Sequence, residues 1–376
     1  MPKNEQATSM HSNLYTRIAE VIEEARHKVS QAVNLAMVYC NYDIGRMIVE
    51  DEQQGKHRAD YGKKTLQSLS KRLTERFGKG FSYRNLKLFR QFYLAYCPSL
   101  GNGQSTIAQS KGKRQESIGQ SAIAQSVPLS LPRPEFMLSW THYIHLMSVE
   151  NPEARRFYEI EATKEHWDVR WLGRQIHSSL YERLALSRDK NSIMELAMHG
   201  QTMEKPSDVL KSPIVLEFLG MEQKASYTET TLESAILDKM QRFLLEMGKG
   251  FLFEARQRRF TYNEKSFFVD LVLYNRLLQC YVLIDLKIGE LTHQDIGQMQ
   301  MYVHYYDRCV KMDFEKPTIG ILLCNKKDDA VVEMTLPDNE NIYATEYKLY
   351  LPDAALLKQK LREWIEEETE AIRLES

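Results

Sequence analysis

Two aspartates and a lysine stand where the sequence otherwise calls for apolar strands. Asp270 interrupts FFVDLVLY (267–274), and Asp285 interrupts CYVLIDLK (280–287), which ends in Lys287. Aspartate is almost never fully buried unless it is paired or binds a ligand. The linker between the runs, about Asn275–Gln279, is short enough for a hairpin, which sets Asp270 opposite residues near 283–285. Two carboxylates that close repel one another unless a cation lies between them. A hard divalent ion held by oxygen atoms resolves the repulsion, magnesium first and manganese as an alternative. Lys287 follows Asp285 by two residues, so in a strand both side chains share a face. A lysine there can orient a water and offset charge developing on a phosphate. The competing explanation of so common a D-x-K pattern is a pair of edge-strand acids facing solvent. Two further features favour chemistry. Glu233, early in TLESAIL, can reach the end of the sheet, and Gln298 and Tyr302 in GQMQMYVHYY are four apart on one helix face. Their amide and phenol suit a phosphate backbone, although singly they are an ordinary polar pair.

The elements that must position these residues can be read from periodicity. Leu232, Ile236, Met240, Phe243, Leu244 and Met247 predict one amphipathic helix, stopped at Gly248 and Gly250. Strands follow at 251–262, 267–274 and 280–287, then a helix at 293–306, strands at 317–324 and 341–350, and a charged helix at about 353–374. This order predicts an α/β domain with a mixed central sheet. The first half predicts helices instead. One covers 12–50; Leu66, Leu69, Leu73 and Phe77 mark a second. A third runs from about Tyr83 to Tyr96 after GKGFSYRN, whose Ser82 can cap it. Helix, glycine-containing turn and basic helix is the outline of a helix-turn-helix. Helical rhythm continues over 136–186, with Trp140, Trp167, Trp171, Tyr158 and Tyr181 as a candidate core. His142 and His145 lack a third ligand and read as core or boundary residues. Residues 187–228 read as irregular, with IVLEFLG (214–220) as a docking segment.

The chain has 376 residues, 43% hydrophobic and 27% charged, which predicts two or three folded domains and excludes global disorder. No apolar run approaches the ~20 residues of a membrane span. The polar start MPKNEQATSMHSNLY has no secretory core, and five scattered cysteines without a CxxC pair suit a reducing cytoplasm. Basic residues exceed acidic ones by seven in 1–200, and acidic exceed basic by eight in 201–376. Eleven basic residues fall between Lys56 and Arg90, opposed by Asp60 and Glu75. Lys79, Arg84, Lys87 and Arg90 are those best placed to contact a nucleic acid. Residues 98–134 are rich in Ser, Gln, Gly and Pro and repeat GQSTIAQS (103–110) as GQSAIAQS (119–126), which predicts a flexible insertion.

These blocks resemble the YhcG family, which joins a helical N-terminal domain to a PD-(D/E)XK nuclease domain. The resemblance is carried by YDIGRMIVEDEQQGKHRADYGKKTLQSLSKRL, FGKGFSYRNLKLFRQFY, LSWTHYIHLM and ARRFYEIEA in the first half. In the second it is carried by SPIVLEFLG, LESAILDKMQRFLLEMGKGF, FFVDLVLYNRLLQCYVLIDLKIGEL and DIGQMQMYV. It implies a helical domain over 10–186 with an insertion at about 98–134, a connector over 187–213, and a nuclease domain over 214–376. It also implies metal binding by Asp270, Asp285, the Leu286 backbone carbonyl and Glu233, with Lys287 positioning the attacking water. Gln298 and Tyr302 resemble a QxxxY element. The middle acid is Asp285 where many members carry glutamate, a carboxylate shorter by about one methylene.

The expected activity is a magnesium-dependent endonuclease hydrolysing DNA phosphodiesters, with the basic helical domain binding DNA or an unidentified protein. The alternative is a non-catalytic nucleic-acid-binding scaffold, its first half an oligomerisation or recruitment module. A single active site per chain would cut one strand, so cutting both would favour a homodimer.

Overall fold

The computed structural model describes residues 4–54, 59–97, 134–187, 190–221, 227–327, 332, 334–335 and 341–363. The chain divides into two compact units, Met1–Ser148 and Val149–Ser376. The expected insertion lies almost wholly outside the described residues, as does the end of the last charged helix, which is described over 354–363.

The first unit is helical: α1 (Asn4–Gln54), α2 (Ala59–Phe77), α3 (Tyr83–Tyr96) and α4 (Trp140–Met147). The last third of α1 buries Val38, Tyr42, Ile48 and Val49, and α3 buries Leu86, Phe89, Phe92 and Tyr93. Gly45 allows these helices to meet, since a Cβ there would overlap the Phe89 carbonyl. Tyr42 meets Phe92 and Phe136 edge to face beside them, as Phe136 meets Tyr143. The chain turns from α2 to α3 through Gly78 (φ +92°) and a 3₁₀ turn at Lys79–Phe81. Ser82 caps α3 by accepting the Asn85 N–H (3.3 Å), and Asn85 Nδ2 donates to the Gly80 carbonyl (2.9 Å). The expected helix, turn and helix are therefore all present.

The second unit begins with α5 (Pro152–Lys164), α6 (Val169–His177), α7 (Leu180–Ala185) and α8 (Lys190–His199). In the candidate aromatic core, Tyr158 and Tyr181 are buried while Trp140, Trp167 and Trp171 are half-buried. The stretch expected to be irregular contains α8. The presumed docking segment instead supplies β1 (Ile214–Val215) and a 3₁₀ turn.

The single helix expected from Thr231 is two, α9 (Glu229–Asp238) and α10 (Met240–Met247). They break at Lys239 (φ −124°, ψ 31°), whose Nζ donates to the Phe218 and Leu219 carbonyls at 2.8 and 3.0 Å. That tertiary anchor overrides the local rhythm. Then come β2 (Phe251–Tyr262), β3 (Lys265–Asn275), β4 (Cys280–Glu290), α11 (His293–Tyr305), β5 (Ile319–Lys326) and β6 (Ile342–Lys348). The sheet runs β1-β6-β5-β4-β3-β2. Neighbours from β1 to β4 are parallel, and β3 and β2 join antiparallel as consecutive hairpins. Alternate residues face two cores. Val282, Ile284 and Leu286 of β4 pack with Leu232, Ile236 and Phe243 of α9 and α10. Leu283 and its neighbours pack with Ile296, Met299 and Tyr302 of α11.

Candidate active site

The acids meet where two strands part. β3 and β4 pair from Asn275↔Cys280 to Leu271↔Ile284. One residue further on stand Asp270 and Asp285. There β3 stays with β2, while β4 continues along β5 through Leu286↔Leu323 and Lys287↔Cys324. The fork opens β3 away from β4 and frees the Leu286 N–H, which donates to Asp270 Oδ2 (2.8 Å). Gln257 of β2 closes the other side. Its Nε2 donates to Asp270 Oδ1 (2.9 Å) and to Glu233 Oε2 of α9 (2.8 Å). Lys287 Nζ lies 2.9 Å from Asp285 Oδ2 and 3.6 Å from Asp295 Oδ1 on α11. Asp295 is held by a capping box with Thr292, whose hydroxyl donates to Asp295 Oδ2 (2.6 Å).

Burial gives the site its electrostatics. Asp285 is 3% exposed; that burial, then the nearby Asp270 carboxylate, pushes its carboxyl up to about 7 against the pull of Lys287. Burial likewise raises Glu233, with Asp270 adding and the Gln257 hydrogen bond opposing. Burial works against the charge on Lys287, but Asp285, Glu229 and Asp295 outweigh it and hold the ammonium above its usual range. Lys287 is therefore a fixed positive charge.

The donor set suits a hard cation. Asp285 Oδ2 is buried with no hydrogen-bond donor aligned to it, although the Lys287 ammonium is close. Among the described residues, no three His, Cys, Asp or Glu side chains cluster closely enough to hold an ion by themselves. Asp270 and Asp285 would thus supply two carboxylate ligands and leave the rest to water, backbone or phosphate oxygens, a sharing that magnesium accepts readily.

Asp270, Asp285, Lys287 and Glu233 are drawn together, Glu233 through Gln257. Tyr302 is fully buried, edge-on to Phe260, and accepts a hydrogen bond from the Gln298 amide. Burial raises the Tyr302 phenol, and the charges of Asp285, Lys287 and Asp270 act on it. Lys79, Arg84, Lys87 and Arg90 lie in the first unit. The first three are exposed, with Lys87 Nζ 4.8 Å from the Tyr83 ring centre. Arg90 is engaged instead by Glu52 at 2.7 Å, which ties α3 to α1. Gln257, Asp295 and Glu229 escaped the sequence reading. A clue to Asp295 was the T-x-x-D pattern of a helix start. Gln257 lies in a basic stretch, and its left-handed backbone (φ 43°) leaves no sequence signature.

Comparison with known proteins identifies the family. A family profile described as the YhcG PDDEXK nuclease domain matches residues 207–362, and one described as the DUF1016 N-terminal domain matches 17–183. An Escherichia coli (strain K12) protein named "Putative nuclease YhcG" is 36% identical over 371 residues, 95% of each chain. This chain belongs to the YhcG family. Its second unit carries the PDDEXK nuclease domain of that family, on a mixed six-stranded sheet. Two solved structures overlap it weakly. One is a repair endonuclease from Pyrococcus abyssi (18% identity, 34% of this chain and 50% of that one, TM-score 0.23). The other is an EndoMS–dsDNA complex (17%, 35% and 49%, TM-score 0.23). Both overlaps are too slight to inform this chain. No helix among the described residues is long and apolar enough to cross a membrane.

Proposed function

We propose that this YhcG-family chain is a divalent-metal-dependent endonuclease that hydrolyses DNA phosphodiesters at the β3–β4 fork. The observation that carries the reading is the pair of converging carboxylates, one with a buried oxygen that lacks an aligned donor, beside a lysine held charged. Asp270, Asp285 and the Leu286 carbonyl would hold magnesium, or manganese in its place. Such an ion polarises the scissile phosphate and makes a bound water more acidic. The chain's own groups do the rest. Asp270 is fixed by the Leu286 N–H and the Gln257 amide, so its oxygens need little reorganisation. Lys287 Nζ, anchored by Asp285 and Asp295, orients the attacking water and offsets charge gathering on the phosphate. It acts as a cation and does not take the proton. Glu233 braces the site through Gln257. DNA as substrate is supported by the family's nuclease domain and by the exposed basic face of α2 and α3, which would serve DNA or a protein partner. One site cuts one strand at a time, so a double-strand break made in one encounter favours two copies.

Cleavage of supercoiled plasmid and branched DNA in Mg²⁺ or Mn²⁺ tests this directly. Wild type should nick or linearise the plasmid. EDTA should abolish the activity, and Asp285→Ala and Lys287→Ala should each reduce it by at least about 10²-fold. A folded wild type that shifts DNA in a gel but cuts none of these substrates would return the protein to the scaffold reading.

A further inference from the structure

The β2–β3 arm that leaves the fork has a face that phosphodiester hydrolysis alone does not explain. Beyond Asp270 the two strands pair from Arg258↔Val269 to Tyr262↔Lys265 and reverse at Asn263 and Glu264, both with left-handed backbone (φ 48° and 64°). One face of this ribbon is core: Phe260 stacks on Tyr305 (4.0 Å between centres) and packs with Phe267 and Tyr302. Alternation turns Gln257, Arg259, Ser266, Phe268 and Asp270 to the other face. Two contacts establish that assignment: Gln257 reaches Asp270, and the Arg259 guanidinium reaches Ser266 Oγ (Nη2, 2.8 Å). Phe268 pairs in register with Arg259 and is 47% exposed. It lies two residues from Asp270, about 7 Å along the strand.

An apolar ring is thus displayed beside a guanidinium on a surface continuous with the metal-binding acids. The arm's exposed charges are Arg258, Arg259 and Lys265 against Glu264, which suits a polyanion better than an apolar protein surface. Arginine finds phosphate oxygens in any nucleic acid. A phenyl ring has no hydrogen-bonding group, and it gains from a base only by stacking on an exposed base face. Inside a duplex those faces are covered by neighbouring base pairs.

We propose that this face is a seat for an unpaired nucleotide next to the scissile phosphate, with Phe268 stacking on its base and Arg259 binding its backbone. The preferred substrate class is then DNA with an unpaired base flanking the cut, such as a fork, flap or gapped duplex. The inference rests on the nuclease reading for the scissile position, whereas the seat itself is a matter of binding.

The test uses the full chain in EDTA, so that nothing is cut, with fluorescein-labelled blunt duplex and splayed-fork DNA. A second fork carries 2-aminopurine at the first unpaired position. Wild type should prefer the fork and quench the 2-aminopurine. Phe268→Ala should weaken fork binding by about tenfold, leave duplex binding unchanged and abolish the quenching. Phe268→Trp should restore all three. Equal binding of fork and duplex by wild type, or a Phe268→Ala protein that binds and quenches as wild type does, overturns the seat. So does a fall in the mass of the nucleic-acid-free protein on Phe268→Ala, because a second copy would then cover the ring. Fork binding and quenching by a wild type that cuts nothing in Mg²⁺ would uphold the seat and remove the nuclease reading. Cleavage without fork preference would do the reverse.

Discussion

Asp285 is a carboxyl that the metal-free fold prefers protonated. Its folded-state value of about 7 stands above the roughly 3.9 of an unfolded aspartate, because burial and Asp270 disfavour the anion. Between those values the folded chain binds more protons than the unfolded one, so this group's stabilisation is full below about pH 4 and is lost as pH rises through 7. The slope from one such group is at most about 1.4 kcal/mol per pH unit. Asp285→Asn, scanned by calorimetry in EDTA, should therefore melt higher than wild type at pH 8 and show little of that gain at pH 4. A gain that does not grow with pH would mean the carboxylate is not strained. Both aspartates and Lys287 were legible in the sequence because each breaks an apolar run, and a polar residue there needs a reason. Gln257 was not, because its role depends on a left-handed backbone at one residue and on partners 13 and 24 positions away.

Among the elements, strand order and register near the fork were readable from alternation and from the short Asn275–Gln279 link. The joining of α6 and α7 to the sheet unit was not, because it depends on charges far apart in sequence. Arg183, fully buried, donates to Glu246 Oε1 of α10 (2.6 Å) and to the Ser178 and Pro213 carbonyls (2.8 and 2.9 Å). Glu246 also accepts from Arg174 (3.1 Å) and from the Val215 N–H of β1 (3.1 Å). Burial alone would raise the Glu246 carboxyl, yet Arg183, Lys211 and Arg174 hold it down to about 2. A buried ion with its partner removed costs about 3–5 kcal/mol, whereas an apolar replacement of the whole pair costs far less. Glu246→Gln should lower the urea midpoint sharply. The double variant Arg183→Leu with Glu246→Leu should lose less than the sum of its single changes. Strict additivity would show that the two charges do not stabilise the fold as a pair. A fragment beginning at residue 187 lacks both arginines and should be less stable than one beginning at 149.

For the whole molecule, residues 18–33 of α1 pose a problem of solvation. Ile18, Ile22, Val29 and Val33 are 50%, 47%, 63% and 56% exposed on this helix. Their steps of four and eleven residues keep them on one stripe, since eleven residues make about three turns. A stripe of this length left exposed among the described residues is uncommon in a monomer and is the kind of surface through which chains associate. The charges along it suggest a second copy running antiparallel, because Glu20, Glu23 and Glu24 precede Arg26 and Lys28, so acids of one helix would face bases of the other. Two copies are also what a double-strand break in one encounter favours when each chain holds one fork. Light scattering should therefore report about twice the chain mass of 44.0 kDa. Ile22→Glu combined with Val29→Glu should return a folded monomer. That monomer should still nick plasmid while producing linear DNA far more slowly, because its two cuts would be independent events. A wild type that runs as a monomer at micromolar concentration and still linearises plasmid in one encounter would rule out this stripe as the source of paired cleavage.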